Sequence, residues 1–137
     1  IEVLDILKSK FRLAMITNGP ADIQRAEARV LGVEHYFDPL LIEGEVGYGK
    51  PDPRIFEIVE RATTAKGDQV LMVGNNYKAD IEPAVGRGWR TIWLRRPSDV
   101  PPSADPDALP EPVPSEGPMP DAVLPDLTSI LPLLGIV

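Results

Sequence analysis

Hydrophobic and polar positions along the chain switch between a helical and a strand period, and those switches set out a series of elements. The opening IEVLDILKSK places Ile1, Leu4, Leu7 and Phe11 on one helical stripe, with Lys8 and Lys10 on the other side. FRLAMIT (11–17) reads as a buried strand ended by Asn18-Gly19-Pro20. A helix follows from about Pro20 to Leu31, closed by Gly32 in the left-handed conformation. PLLIEG supplies a strand near 39–43, and GEVGYGKPDP turns the chain into a helix from Pro53 to about Ala65. Asp52 is the natural N-cap of that helix and Pro53 its first residue. QVLMVG (69–74) reads as a strand, followed by a helix across Asp80–Val85 and a strand TIWL at 91–94. DAVL (121–124) predicts a returning edge strand. PDLTSILPLL predicts a last short helix that begins at Pro125 and is weakened by Pro132.

This alternation implies an α/β fold: a Rossmann-like parallel sheet with helices on both faces. Between Pro97 and Pro120 the pattern dissolves into Pro, Ser, Asp and Glu, the composition of a solvated surface loop. The expected organisation is a core over 1–96, a Pro-rich acidic loop over 97–120, and a terminal edge strand and helix over 121–137 that return to the same domain. The pattern is already amphipathic at Ile1, with no capping residue ahead of it, which is read either as a frayed terminus or as a truncation that leaves the core incomplete at its N-terminus.

At 137 residues the chain is long enough for one domain, and charged residues at 26% exclude wholesale disorder. The net charge of −7 is unevenly placed. All 14 Lys and Arg lie in residues 1–96 with 14 of the 21 acids, so the body is neutral and the part after Arg96 purely acidic. Such a balance argues against nucleic acid and anionic membranes as partners. No apolar run approaches a membrane span, and nothing resembles a secretory leader. The absence of Cys removes disulfides, zinc–thiolate sites and thiol nucleophiles, and fits a cytoplasmic location. His35 is the only histidine, so it builds no zinc site and is expected to pack or cap. Trp89 and Trp93 are expected to pack the sheet edge, and Tyr36 and Phe37 to seat the helix before them.

In open parallel sheets the ligand crevice lies beyond the carboxyl ends of the strands. Three such ends here carry groups suited to a phosphate. Thr17, Asn18 and Gly19 offer a hydroxyl, an amide and the free N–H groups of the following helix. Lys50 in G-K-P-D-P is a point charge whose backbone Pro51 biases toward extension. In Gly74-Asn75-Asn76, Asn75 leaves a strand tip and Asp80 opens the next helix, where it is placed toward a metal or a neighbouring donor. Each feature also has an ordinary structural explanation as a turn, a loop lysine or a cap. Three in order on successive strands are much less expected by chance than any one, and together they predict a site.

With these residues the chain resembles the haloacid dehalogenase-like hydrolase superfamily. LAMITNGP is similar to its second motif, GYGKPDPRIF to its third and VLMVGNNYKADI to its fourth, in the family's order and spacing. The resemblance covers residues 1 to about 95 and an ending at DAVLPDLTSIL. GEVGYGKPDPRIFE looks like the capped phosphatase branch, which acts on small phosphorylated metabolites. The resemblance implies a Mg²⁺-dependent phosphomonoesterase working through an aspartyl-phosphate. Thr17, Asn18, Gly19 and Lys50 would bind the phosphoryl group, with Lys50 also catalytic through its charge, and Asn75 and Asp80 would hold the metal.

Two departures qualify it. The first motif, an apolar strand ending in D-x-D-x-[TV], carries the nucleophilic Asp and the general acid/base Asp. It is absent, and Asp105-Pro106-Asp107 follows no apolar strand and is no substitute. This chain alone is therefore expected to be inactive and aggregation-prone, unless an upstream segment or another copy of the chain completes the sheet. The second departure is Asn75, a neutral residue where most phosphatases of the family have Asp, which weakens the implied Mg²⁺ site. Two alternatives stay open: a non-catalytic binding or assembly module of this fold, and a metal-independent 2-haloacid dehalogenase-like hydrolase. The dehalogenase branch also has Asn in its fourth motif, but its usual Tyr would fall at Phe56.

Overall fold

A computed structural model describes residues 2–96 and 116–136. The chain divides into two compact units, Ile1–Ala65 and Lys66–Val137. The strands of each unit run parallel with helices between them, which is the α/β class expected. Rather than forming one continuous sheet, they make a two-stranded sheet in the first unit and a three-stranded sheet in the second. Most of the expected acidic loop, residues 97–115, lies outside the described residues. No helix among the described residues is long and apolar enough to cross a membrane.

The first unit runs α1 (Glu2–Lys10), β1 (Met15–Thr17), α2 (Ala21–Val30), β2 (Leu40–Ile42), α3 (Glu43–Val46) and α4 (Pro53–Thr63). β1 and β2 pair in parallel with Thr17 opposite Ile42, so Asn18 and Glu43 leave the same end of the ladder. β1 is shorter than the apolar run 11–17. The Asp38 N–H reaches the Leu13 carbonyl and the Met15 N–H reaches the Pro39 carbonyl, but Pro39 has no N–H with which to continue a regular ladder. Phe11, expected on the buried stripe, is 47% exposed, whereas Leu7 is buried. Tyr36, expected to seat the helix before it, also ties down α1: its hydroxyl donates to Asp5, while Lys8 Nζ donates to the His35 carbonyl at 2.6 Å. The His35 ring packs tilted on Tyr36.

Gly32 takes the left-handed φ of 69° that closes α2. In α4, Ile55, Phe56 and Val59 fall on one face and are buried, with Ile42 of β2 also fully enclosed. Its start is as expected, with Pro53 in the first turn and the Asp52 carboxylate accepting the Arg54 N–H at 2.9 Å. The Arg54 guanidinium folds back onto the same carboxylate and lies 3.8 Å over the Tyr48 ring.

The second unit contains β3 (Leu71–Gly74), a π-helical turn (Tyr77–Ile81), α5 (Glu82–Gly86), β4 (Arg90–Leu94), β5 (Ala122–Leu124) and α6 (Ile130–Leu133). Its strand order is β3-β4-β5, so among the described residues β5 lies at the edge of this sheet. Thr91 and Asp121 pin it: the Thr91 N–H donates to Asp121 Oδ2 at 2.8 Å, and the Asp121 N–H to Thr91 Oγ1 at 3.1 Å. Trp93 belongs to the middle strand, not the sheet edge. It is 1% exposed and packs with Tyr77, Ile81 and Val85. The helix expected from Asp80 begins earlier, as a π turn. In it the Ile81 N–H reaches the Asn76 carbonyl at 3.4 Å and the Glu82 N–H the Tyr77 carbonyl, one residue further back than in an α-helix. The last helix shortens to four residues because Asp126 draws the Ser129 N–H (2.8 Å) and hydroxyl (2.7 Å) into a turn.

The Asp52 carboxyl is held at about 2, below its usual 3.8, first by the Arg54 side chain and then by the Arg54 backbone N–H. A lowered folded-state value adds stability that is complete above the usual value and lost as the pH falls from about 3.8 through about 2. We expect Asp52→Ala to lower the melting temperature at neutral pH, with the gap from the parent closing over that acid range in thermal melts.

Candidate functional site

The first three candidates lie at the tip of β1. Thr17 is its last residue, and its hydroxyl donates to Gln24 Oε1 on α2 at 2.9 Å. Gly19 has a φ of 124°, which favours a residue without Cβ. Its N–H donates to Glu43 Oε1 at 2.9 Å, and its carbonyl accepts the Gly44 N–H at 3.0 Å. The Thr17 hydroxyl and the Gly19 N–H therefore already have partners inside the unit, on Gln24 and Glu43.

Asn18 and Lys50, 32 residues apart, are brought together by both ends of one side chain. Asn18 Nδ2 donates to the Lys50 carbonyl at 2.9 Å, and the Lys50 N–H donates to Asn18 Oδ1 at 2.8 Å. The next peptide, Lys50–Pro51, is cis. Asn18 thus grips the lysine's main chain. Two hydrogen bonds of about 1 kcal/mol each, closed on one planar amide, hold that backbone at the carboxyl end of β1.

Sequence reasoning missed Glu43. Its signal lay in the two glycines around it. A Cβ on Gly44 would lie 2.5 Å from the Ala21 nitrogen, and one on Gly49 would collide with the Glu43 carboxylate. Nearby, Arg25 binds Glu45 at 2.6 Å and Glu34 at 3.5 Å, which raises the Arg25 value and, through the Arg25 hydrogen bond, lowers that of Glu45.

The remaining candidates follow β3. Asn75 presents its carbonyl to the Trp93 indole N–H at 3.3 Å. Asn76, not Asp80, caps the turn: its Oδ1 accepts the Ala79 N–H at 2.9 Å. Asp80 sits inside the turn, 3% exposed, with Oδ2 accepting the Asn76 N–H at 3.1 Å. A Cβ on Gly74 would overlap that carboxylate, so glycine is what lets the strand end so close to Asp80.

A hard divalent ion takes oxygen ligands with carboxylate charge among them. Asn75 brings an amide without charge, and one oxygen of Asp80 is already engaged by a backbone N–H. Among the described residues no three His, Cys, Asp or Glu side chains group to hold an ion. These residues do not by themselves fit Mg²⁺. We expect Gly74→Ala to force Asp80 aside and to cost about 1–3 kcal/mol by chemical denaturation.

Residues 1–86 match the family model of haloacid dehalogenase-like hydrolases, and residues 47–130 a second model described as HAD-hydrolase-like. The chain is 42% identical over 98 residues to a phosphoserine phosphatase of Thermus thermophilus, covering 69% of this chain and 39% of that protein. The HAD-hydrolase YfnB of Bacillus subtilis, solved bound to magnesium, superposes with a TM-score of 0.78 at 24% identity over 98% of this chain and 54% of that one. A 2-haloacid dehalogenase of Pseudomonas syringae superposes with a TM-score of 0.73 at 31% identity, over 98% of this chain and 50% of its own. The chain spans 39% of the length of the first curated relative it matches and 42% of the second.

Proposed function

The chain belongs to the haloacid dehalogenase-like hydrolase family, and from that membership we propose that it is the carboxyl-terminal part of the core of a phosphatase of the capped branch, acting on small phosphate monoesters. The supporting observation is the Asn18 clamp, which holds Lys50 at the carboxyl end of β1 beside Thr17 and Gly19. With its backbone fixed at a strand tip, Lys50 would carry the ammonium that offsets the charge of a phosphoryl group in transfer. The likeness to a phosphoserine phosphatase favours a phosphate ester as substrate.

In this reading the nucleophilic Asp comes from a D-x-D-x-[TV] strand upstream of Ile1. Its carboxylate attacks phosphorus and the P–O bond to the leaving alcohol breaks. The second Asp protonates the departing oxygen and then activates the water that hydrolyses the aspartyl-phosphate. Thr17 and Gly19 flank the phosphoryl group, Asn18 fixes the Lys50 backbone, and Lys50 balances the negative charge. By resemblance Asn75 and Asp80 would be the residues toward Mg²⁺, and other carboxylates would have to supply most of the charge around the ion. The loop reading of 97–120 and the return of 121–137 to the same domain belong to this proposal. The neutral Asn75 and the likeness to a 2-haloacid dehalogenase support a second reading, metal-independent dehalogenation.

Assays of the whole protein separate these readings. We expect p-nitrophenyl phosphate to be hydrolysed with added Mg²⁺, no chloride to be released from 2-chloropropionate, and Lys50→Ala to cost about 100-fold or more in kcat. Chloride release without metal would establish the dehalogenase reading. A folded whole protein inert to both substrates, with no D-x-D-x-[TV] upstream, would establish the non-catalytic module. Calorimetric titration is expected to show millimolar Mg²⁺ binding to the whole protein and none to these 137 residues.

A further inference from the structure

We propose that Glu43 is a positioning residue for Lys50, acting through a closed ring of contacts at the tip of β1. The inference rests on the phosphatase reading only for its effect on turnover; the ring itself is geometric.

Ile42, 0% exposed, anchors the end of β2, and its pairing with Thr17 sets Glu43 level with Asn18. From there the Glu43 carboxylate works in two directions. Oε1 accepts the Gly19 N–H at 2.9 Å, just before α2, where negative charge also suits the helix dipole. Oε2 lies against Gly49, so closely that no Cβ fits there. Gly49 leads into Lys50, whose N–H and carbonyl are held by Asn18, and Asn18 leads back into Gly19. The ring Glu43–Gly19–Asn18–Lys50–Gly49 thus closes on three hydrogen bonds and one packing contact. The Gly44 N–H braces it by holding the Gly19 carbonyl. Through Gly19 and Gly49, Glu43 supports both chain segments that meet in the Lys50 clamp.

The test uses the whole protein, read by amide hydrogen exchange and by phosphate-ester kinetics. In Glu43→Ala, exchange at both the Gly19 and the Lys50 amides is expected to speed up by about tenfold. Glu43→Gln keeps an acceptor oxygen of the same reach and is expected to stay within about threefold of the parent. With p-nitrophenyl phosphate, Glu43→Ala is expected to lower kcat by about tenfold at little changed KM, and Glu43→Gln to restore most of it.

Gly49→Ala drives the carboxylate out of place and should reproduce the Glu43→Ala loss. The double variant should lose no more than either single one, because the truncated side chain leaves room for the new methyl group. If Glu43→Ala does not fold, Glu43→Ser takes its place. A Lys50 amide unaffected by the truncation, or additive losses in the double variant, would overturn the proposal. A parent that turns over no phosphate ester would remove the function reading alone, since amide exchange still decides the role of Glu43.

Discussion

One carboxamide decides where Lys50 stands. Asn18 meets a main-chain N–H and a main-chain carbonyl at once, which requires a donor and an acceptor on one rigid plane. A carboxylate lacks the donor and a hydroxyl lacks the span. Much of the first unit serves this contact. The β1–β2 register puts Asn18 and Glu43 at one level, buried Ile42 fixes that level, and the left-handed turn at Gly19 carries the chain away without disturbing the amide. A lysine on a loop is ordinarily a mobile charge. Here at least its backbone is set by a strand.

The parts legible in the sequence were those governed by neighbours in the chain. Asp52 and Pro53 announce the start of α4 because capping involves residues two or three apart, and Gly32 announces the end of α2 for the same reason. The strands were found from their apolar runs but drawn too long at 11–17, since the ladder depends on what lies opposite, and Pro39 lies opposite. The π turn was hidden because helical periodicity carries no mark of a displaced hydrogen bond. Trp93 was placed at an edge because composition does not reveal strand order.

The candidate site was legible by residue type and not by partner. Thr17, Asn18, Gly19 and Lys50 do cluster, as the order of motifs suggests, but each has a partner the motifs do not name. Gly19 finds Glu43 at a separation of 24 residues, and Asn18 finds Lys50 at 32. After β3 the pattern repeats in closed form: Asn76 and Asp80 satisfy one another's backbone, and the Trp93 indole holds the Asn75 carbonyl. Such a turn is rigid by construction. Among the described residues no further carboxylates gather beside it to hold an ion.

The seat of Gly49 on the Glu43 carboxylate has an evolutionary consequence. A Cβ at position 49 meets the carboxylate only while a long acid occupies position 43. Lineages in which the acid is replaced by a small residue would be released from that constraint and free to carry a side chain before the lysine. The two positions are thus expected to drift as a pair, and the lysine loop can take on new surface chemistry without any change in the strand that holds it.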